Sequence, residues 1–348
     1  MIYQLHLYGH LKFENSQHLA SYRQFNTAYF IHMLCSYMLE SNSEVDFVSH
    51  RLDPTEKSAH KVYKRNSDEY GLIDPRFDYM VLKNTITGRF SVLDFKDGPS
   101  SAQVLQTEPG FSGALISMYE PGWVDENFNH PELVEPYLFF DQMPNLTQQM
   151  ALEVSQIHET ASDNRLFMAA TLGTEDFYSI KTSDGRVVGR RHLARVLAER
   201  WPDEVLIWDR DQKLPREQYW LQAAQHRWNL FLPGHPWCYR EHEHWRLGLA
   251  TISLNLWHPL KIALNPGEHY VSVQVPQSER DYTGCSLNPE AHAEQVIQTF
   301  RRVRDDERLR KRIAQSAQQR MERANVRAVA AENLSKLIWL KKMRLILS

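Results

Sequence analysis

The residues from Asn229 to Asn255, NLFLPGHPWCYREHEHWRLGLATISLN, hold a Pro-Gly, a His-Pro, two tryptophans and the run Arg240-Glu241-His242-Glu243-His244 between two apolar segments. Three readings fit those letters. In the first they bind a metal, since His235, His242, Glu243 and His244 are all ligand types. Residues 240–248 read as a helix, however. On a helix, positions two apart point about 200° apart, while positions three or four apart share a face. His242 and His244 therefore cannot meet on one ion, and the H-E-x-x-H spacing that would bring two histidines together is absent. In the second reading the stretch holds an anion. LFLPG is an apolar strand ending at Gly234, where a backbone can approach a ligand closely. A helix starting near Tyr239 and Arg240 offers N-terminal amides to an anion. Arg240 adds a bidentate fork suited to phosphate. Glu243, one turn on, could bind ribose hydroxyls or orient Arg240. The third reading is structural: a partly exposed helix with an Arg–Glu pair and solvated histidines.

The first half of the chain carries candidate proton acceptors. SVLDFKDGPSS is a buried strand ending at Asp94, followed by Asp97 in a Gly-Pro turn. A carboxylate at a strand's carboxyl end is well placed for chemistry in an open α/β sheet. Aspartate there also commonly caps the next turn. HLYGHLKFENSQH places His6, His10 and Glu14 around the first strand and its loop, and His50 follows VDFVS. A histidine in such a loop can act as a base or contact an acceptor.

These residues need a scaffold, and the pattern of the chain suggests one. MIYQLHLYG, EVDFVSHRL, FDYMVLKNT, GRFSVLDFKDG, GALISMYEPG and EPYLFFDQMP read as strands, and SYRQFNTAYFIHMLCSYMLESN as a buried helix. NLTQQMALEVSQIHETASDN reads as a polar helical connection. The strand–helix alternation then restarts with RLFMAATLG, GRRHLARVLAERWP, DEVLIWDRD, PREQYWLQAAQHR, WNLFLPG, YREHEHWRLGL and ATISLN. Repeated βα units at short spacing predict mostly parallel, doubly wound sheets. HAEQVIQTFRRVRDDERLRKRIAQSAQQRMERAN reads as a long amphipathic helical region with a solvated charged face. ENLSKLIWLKKMRLIL reads as a last helix. The expected organisation is α/β: a Rossmann-like domain over 1–160, a second over 161–325, and a terminal helix over 326–348 packing back toward the first domain.

Of the 348 residues, 42% are hydrophobic and 24% charged, an ordinary globular composition for two domains. The formal net charge of −3 argues against a protein that coats nucleic acid, though it leaves room for a local basic groove. The three scattered cysteines, Cys35, Cys238 and Cys285, suggest neither a disulfide framework nor a thiolate zinc site. The first residues lack the features of a signal peptide, and no apolar run approaches the length of a membrane helix. A cytoplasmic protein without an integral membrane segment is expected.

The segment LFLPGHPWCYREHEHWRLGLATISL resembles the donor site of GT-B glycosyltransferases, closest to the exostosin-like and capsule-associated protein O-glucosyltransferase-like group. The matching residues are Gly234, Tyr239, Arg240, Glu243 and Gly248. LNPGEHYVSVQV resembles a second segment of that group through Pro266, His269 and Tyr270. MAATLG followed by RRHLARVLAER resembles the start of its donor domain, where a basic residue faces the diphosphate; Arg190 and Arg191 both match. The resemblance covers roughly 165–325. It departs from the family's pattern at HPWCY, where small residues are common.

The resemblance implies two Rossmann-like domains facing a cleft and transfer of a sugar from a nucleotide sugar to a hydroxyl acceptor. It implies no bound cofactor and no metal, the co-substrate being a sugar nucleotide, most simply UDP-linked. Gly234, Tyr239, Arg240, Glu243, His269 and Tyr270, with Arg190 or Arg191, would bind the donor. Asp94, Asp97 or His10 would serve as base. The acceptor would be a saccharide or a hydroxylated base in nucleic acid; for the latter, aromatics and Lys61, Lys64, Arg65, Arg76, Lys83 and Arg89 supply the chemistry. The alternatives are a non-catalytic two-domain protein that binds nucleotide or glycan, and a metal-dependent hydrolase using the histidines.

Overall fold

A computed structural model describes residues 3–9, 45–51, 77–95, 100–116, 121–136, 147–170, 179–181, 187–209, 215–232, 239–254, 264–275, 288–323 and most of 328–337. The chain divides into two compact units, Met1–Gln142 with Ala324–Ser348, and Met143–Arg323.

In the first unit, β1 (Tyr3–Gly9), β2 (Val45–Arg51), β3 (Phe77–Asn84), β4 (Phe90–Asp94), β5 (Phe111–Ile116) and β6 (Val134–Pro136) form one sheet in the order β2-β1-β3-β4-β5-β6. The alternation of YQLHLYG survives as strand geometry: Leu5 and Leu7 are buried, while His6 and Tyr8 on the opposite face are half-buried. Five strands are mutually parallel, and β3 runs antiparallel to both neighbours. The sheet is therefore mixed. Without β3, its strands follow the chain order second, first, third, fourth, fifth, a doubly wound order. β3 is inserted at the point where that order reverses. A local turn explains the reversal of direction into β4. The Asn84 side chain accepts from the Ile86 and Thr87 amides at 2.9 and 3.0 Å, and Gly88 takes a φ of 68°.

Helices α1 (Ser101–Leu105) and α2 (Pro121–Asn127) follow β4 and β5, and Ala102, Val124 and Phe128 pack on Val92, Ala114 and Ile116. The strand expected in EPYLFFDQMP is described only at its start, in β6; its remainder and the expected helix SYRQFNTAYFIHMLCSYMLESN lie outside the described residues. Among residues 328–337, Val329, Asn333 and Leu337 are buried at four-residue spacing, one face of a helix. Lys336 pairs with Glu135 at 3.4 Å, which ties this segment to the end of β6.

The second unit contains α3 (Gln148–Glu159), β7 (Asp163–Ala170), the hairpin of β8 (Ser179–Lys181) and β9 (Val187–Gly189), α4 (Arg190–Arg200), β10 (Val205–Asp209), α5 (Arg216–Ala224), β11 (His226–Phe231), α6 (Tyr239–Arg246), β12 (Thr251–Leu254), β13 (Val271–Val273), α7 (Pro289–Val303) and α8 (Glu307–Arg323). Its sheet is parallel throughout, in the order β10-β7-β11-β12-β13. This is again second, first, third, fourth, fifth, with the order reversing between β7 and β11. Both faces are covered. Leu166 and Met168 of β7 meet Leu193 of α4 and Val296 of α7, while Phe167 and Ala169 meet Val154 of α3 and Trp220 of α5.

Helix α3, expected as a connection, is an integral part of this unit. Thr147 caps its start by accepting from the Met150 amide at 3.1 Å, and Val154 and His158 are buried. His158 Nε2 accepts from the Ala250 amide at 2.9 Å, and Nδ1 lies 3.4 Å from the Ala224 carbonyl. Burial, and secondarily Arg310, depress its pKa to about 3. The sign of the pH effect follows. Between that value and the ordinary 6.5 the unfolded chain binds a proton that the folded chain refuses, so stability falls as pH is lowered through this window. Each pH unit costs about 1.4 kcal/mol at most from this one group. Urea midpoints measured at pH 7, 6 and 5 should decline, and His158→Gln should flatten that decline; an equal decline in the variant would refute the assignment.

The charged helical region is two helices, α7 and α8, separated by Arg304–Asp306. Asp306 caps α8 by accepting from the Leu309 amide at 2.8 Å. Among the described residues no helix is long and apolar enough to cross a membrane.

Candidate functional site

The direction of the helices locates the chemistry of the second unit. Trp245 near the end of α6 donates to Thr251, the first residue of β12, at 2.9 Å. Glu241 near the start of α6 accepts from Ser253, farther along β12, at 3.1 Å. Helix and strand are thus antiparallel, and α6 starts at the carboxyl edge of the sheet. The same holds for α4 and α5, whose ends lead directly into β10 and β11. The starts of α4 and α6 follow β7 and β11 in the chain, on either side of the reversal, where open α/β sheets bind ligands.

Three helix starts at this edge carry arginine: Arg190 and Arg191 on α4, Arg216 on α5, Arg240 on α6. A cation near a helix N-terminus opposes the macrodipole by about 0.3–1 kcal/mol. Acids are also present. Glu217 lies in the first turn of α5, and Glu241 in that of α6, although Glu241 is fully buried on Ser253. His192 of α4 lies 3.2 Å from Glu290 at the start of α7. Gly234 and the side chains of Arg190, Tyr239 and Arg240 lie outside the described residues, while Arg191 is half-buried.

The histidines and acids of α6 are not solvated. Glu241, His242, Glu243 and His244 are all buried. His244 Nε2 lies 2.6 Å from the Tyr219 hydroxyl and its ring packs edge-on against Phe231, while the His242 ring faces Trp245. The two histidines turn to different neighbours, as helical spacing requires. Among the described residues no three His, Cys, Asp or Glu side chains converge in the manner of a metal site. The helix ends in a Schellman turn. Gly248 has a φ of 69°, its amide donates to Trp245 O at 3.2 Å, and the Leu249 amide donates to His244 O at 2.9 Å.

Glu243 has a different described partner from the one expected. One carboxylate oxygen pairs with Arg216 and the other accepts from the Trp220 indole at 2.8 Å. The Arg216 guanidinium stands 5.6 Å from the centre of the Trp220 ring. Sequence reasoning missed Arg216; the available signal was an arginine directly after the proline that opens α5.

His269 and Tyr270 are not brought to this edge. They precede β13, and the chain enters that strand from its amino end. His269 Nδ1 accepts from the Asn265 amide at 2.8 Å, closing the turn, and burial lowers its pKa. Tyr270 packs on Trp245, and burial, with Glu241 nearby, pushes its hydroxyl to about 12. Both residues lie at the amino end of β13, the opposite end from the edge where open α/β sheets bind ligands.

In the first unit, Asp94 ends β4 and is buried. Its Oδ2 accepts from the Ser100 hydroxyl at 2.7 Å and from the Ser101 and Ala102 amides, while Ser100 itself caps α1. Asp94 therefore fixes the start of α1, the capping role open to it in the sequence. Asp97, His10 and Glu14 lie outside the described residues. His6 and His50 meet across β1 and β2, Nδ1 to Nε2, at 2.9 Å. Burial, then the neighbouring His50, lowers the pKa of His6. His50, Tyr8 and Tyr79 continue as a stacked row with centroids 4.4 and 4.5 Å apart.

Compared with known proteins, the chain matches no family model and no curated sequence.

Proposed function

We propose that the chain is a nucleotide-sugar-dependent glycosyltransferase whose second unit binds the donor. One observation carries this reading: a parallel, doubly wound sheet whose carboxyl edge gathers arginine-bearing helix starts around the reversal of strand order. Breaking a glycosyl–phosphate bond leaves negative charge on the departing diphosphate. Helix-start amides and fixed guanidinium groups stabilise that charge. Arg240 is assigned to the leaving diphosphate, with Arg190 or Arg191 in support, and Gly234, on the sequence resemblance, to a close approach of the backbone. The GT-B description and a UDP-linked donor belong to the same proposal and rest on the sequence resemblance. In an inverting transfer a base must take the proton of the acceptor hydroxyl. Asp97 and His10, which follow β4 and β1 in the chain, are the assigned candidates, with Asp94 as the residue that holds the start of α1.

A thermal-shift screen against UDP-, GDP-, ADP- and CMP-sugars tests the donor and identifies it. A bound donor stabilises by RT ln(1 + [L]/Kd), about 2.7 kcal/mol at a hundredfold excess over Kd. One nucleotide class should raise the unfolding midpoint well above the rest. A flat response to all four at millimolar concentration would refute donor binding. Turnover with a saccharide or a hydroxymethylated duplex then separates a transferase from a protein that only binds.

A further inference from the structure

We infer that Glu243 serves the donor site through Arg216, as a positioning residue, and that Arg216 is a further phosphate-binding cation of that site. The inference rests on the donor reading above and extends it to a residue outside the resemblance. The Glu243 side chain is only 4% exposed, whereas that of Arg216 is 37% exposed. A charge taken out of water this far must be paired. Its two oxygens are engaged from α5, by Arg216 and by the buried Trp220 indole. A carboxylate bound in this way has its geometry set by the protein.

The arginine is in the opposite situation. Its guanidinium is held on one side by Glu243 and lies against Trp220, while part of its surface reaches solvent at the edge where the α5 chain begins. A guanidinium fork carries five donors in a plane, and anchoring one of them fixes the direction of the others. Preorganised in this way, it loses less entropy when it meets an anion than a free side chain does. The contact also ties α6, one turn beyond Arg240, to the start of α5. A sugar nucleotide presents two phosphate groups, and arginines on separate helices suit a diphosphate better than a single phosphate.

A double-mutant cycle on UDP affinity, measured by calorimetry on the full chain, tests the inference. Arg216→Ala should weaken UDP binding about tenfold and Glu243→Gln severalfold, since glutamine keeps an acceptor for Trp220 but loses the ion pair. The double variant should bind like Arg216→Ala alone, because Glu243 acts only through that arginine. It also removes both charges together, so neither is left buried and unpaired. Arg216→Lys should restore part of the affinity. Additive losses in the double variant would show that Glu243 touches the ligand itself and would overturn the inference. So would Arg216→Ala leaving affinity unchanged while Arg240→Ala abolishes it, with the donor reading intact. Wild-type chain that does not bind UDP overturns the UDP-donor reading and this inference with it.

Discussion

Arg240→Ala is expected to lower kcat/KM for the sugar-nucleotide donor by about a hundredfold or more, the usual scale for removing one preorganised group that stabilises developing charge. Arg240 lies in the first turn of α6, at the carboxyl edge of a parallel sheet and close in the chain to the reversal of strand order. The helix macrodipole disfavours a cation there. Arg240→Lys should recover only part of the loss, because an ammonium keeps the charge but not the bidentate fork. Donor kinetics with the best nucleotide from the thermal screen, together with unfolding midpoints, would check this. Near-normal kcat/KM in Arg240→Ala would remove the diphosphate assignment.

Arg310→Ala should reduce the stability of the second unit by about 3 kcal/mol, through two lost hydrogen bonds from a charged donor and the gap left by a buried side chain. The buried guanidinium donates to His158 O at 2.6 Å and Glu159 O at 3.0 Å, the last carbonyls of α3, and pairs with Glu307 at 2.6 Å. It closes the C-terminal end of that helix with both hydrogen bonds and favourable charge. Glu307, half-exposed and paired also with Arg227, is held at about 2 chiefly by its hydrogen bonds to Arg310. Solvent screening limits what that ion pair adds, so most of the expected effect comes from the lost hydrogen bonds and the gap. Urea unfolding followed by tryptophan fluorescence would measure the change, and a loss under 1 kcal/mol would contradict the capping role.

The second unit was legible because its signals are local. Each apolar run became a parallel strand and each amphipathic segment a helix; α3, expected as a polar helical connection, is a helix packed into the unit. α3 reads as polar because only Val154 and His158 are fully buried along its length. The antiparallel β3 was visible as a strand, but its direction relative to β1 is a pairing between distant residues such as Tyr8 and Tyr79. Spacing within one segment cannot show that. Glu243 teaches the same lesson at the candidate site. Helical spacing offered Arg240, one turn away, whereas the described partner is Arg216, brought in by α5. Only the structural reading left the histidines of α6 solvated, since polar residue types do not show tertiary contact; His244 meets Tyr219 and Phe231, and His242 faces Trp245. Arg310 was readable in principle. It shares an apolar stripe with Ile313, Ala314, Ala317 and Met321 at helical spacing, and a charge on such a stripe must find partners inside.

Amide hydrogen exchange with and without saturating UDP tests most directly whether a donor binds at the carboxyl edge of the second unit. Slowed exchange should appear at the start of α4, around Arg190–Leu193, and at the start of α6, around Tyr239–Glu243. Exchange in β3 and β5 should stay unchanged. Bound UDP that instead protects only segments of the first unit, and leaves the starts of α4 and α6 as they were, would contradict the account.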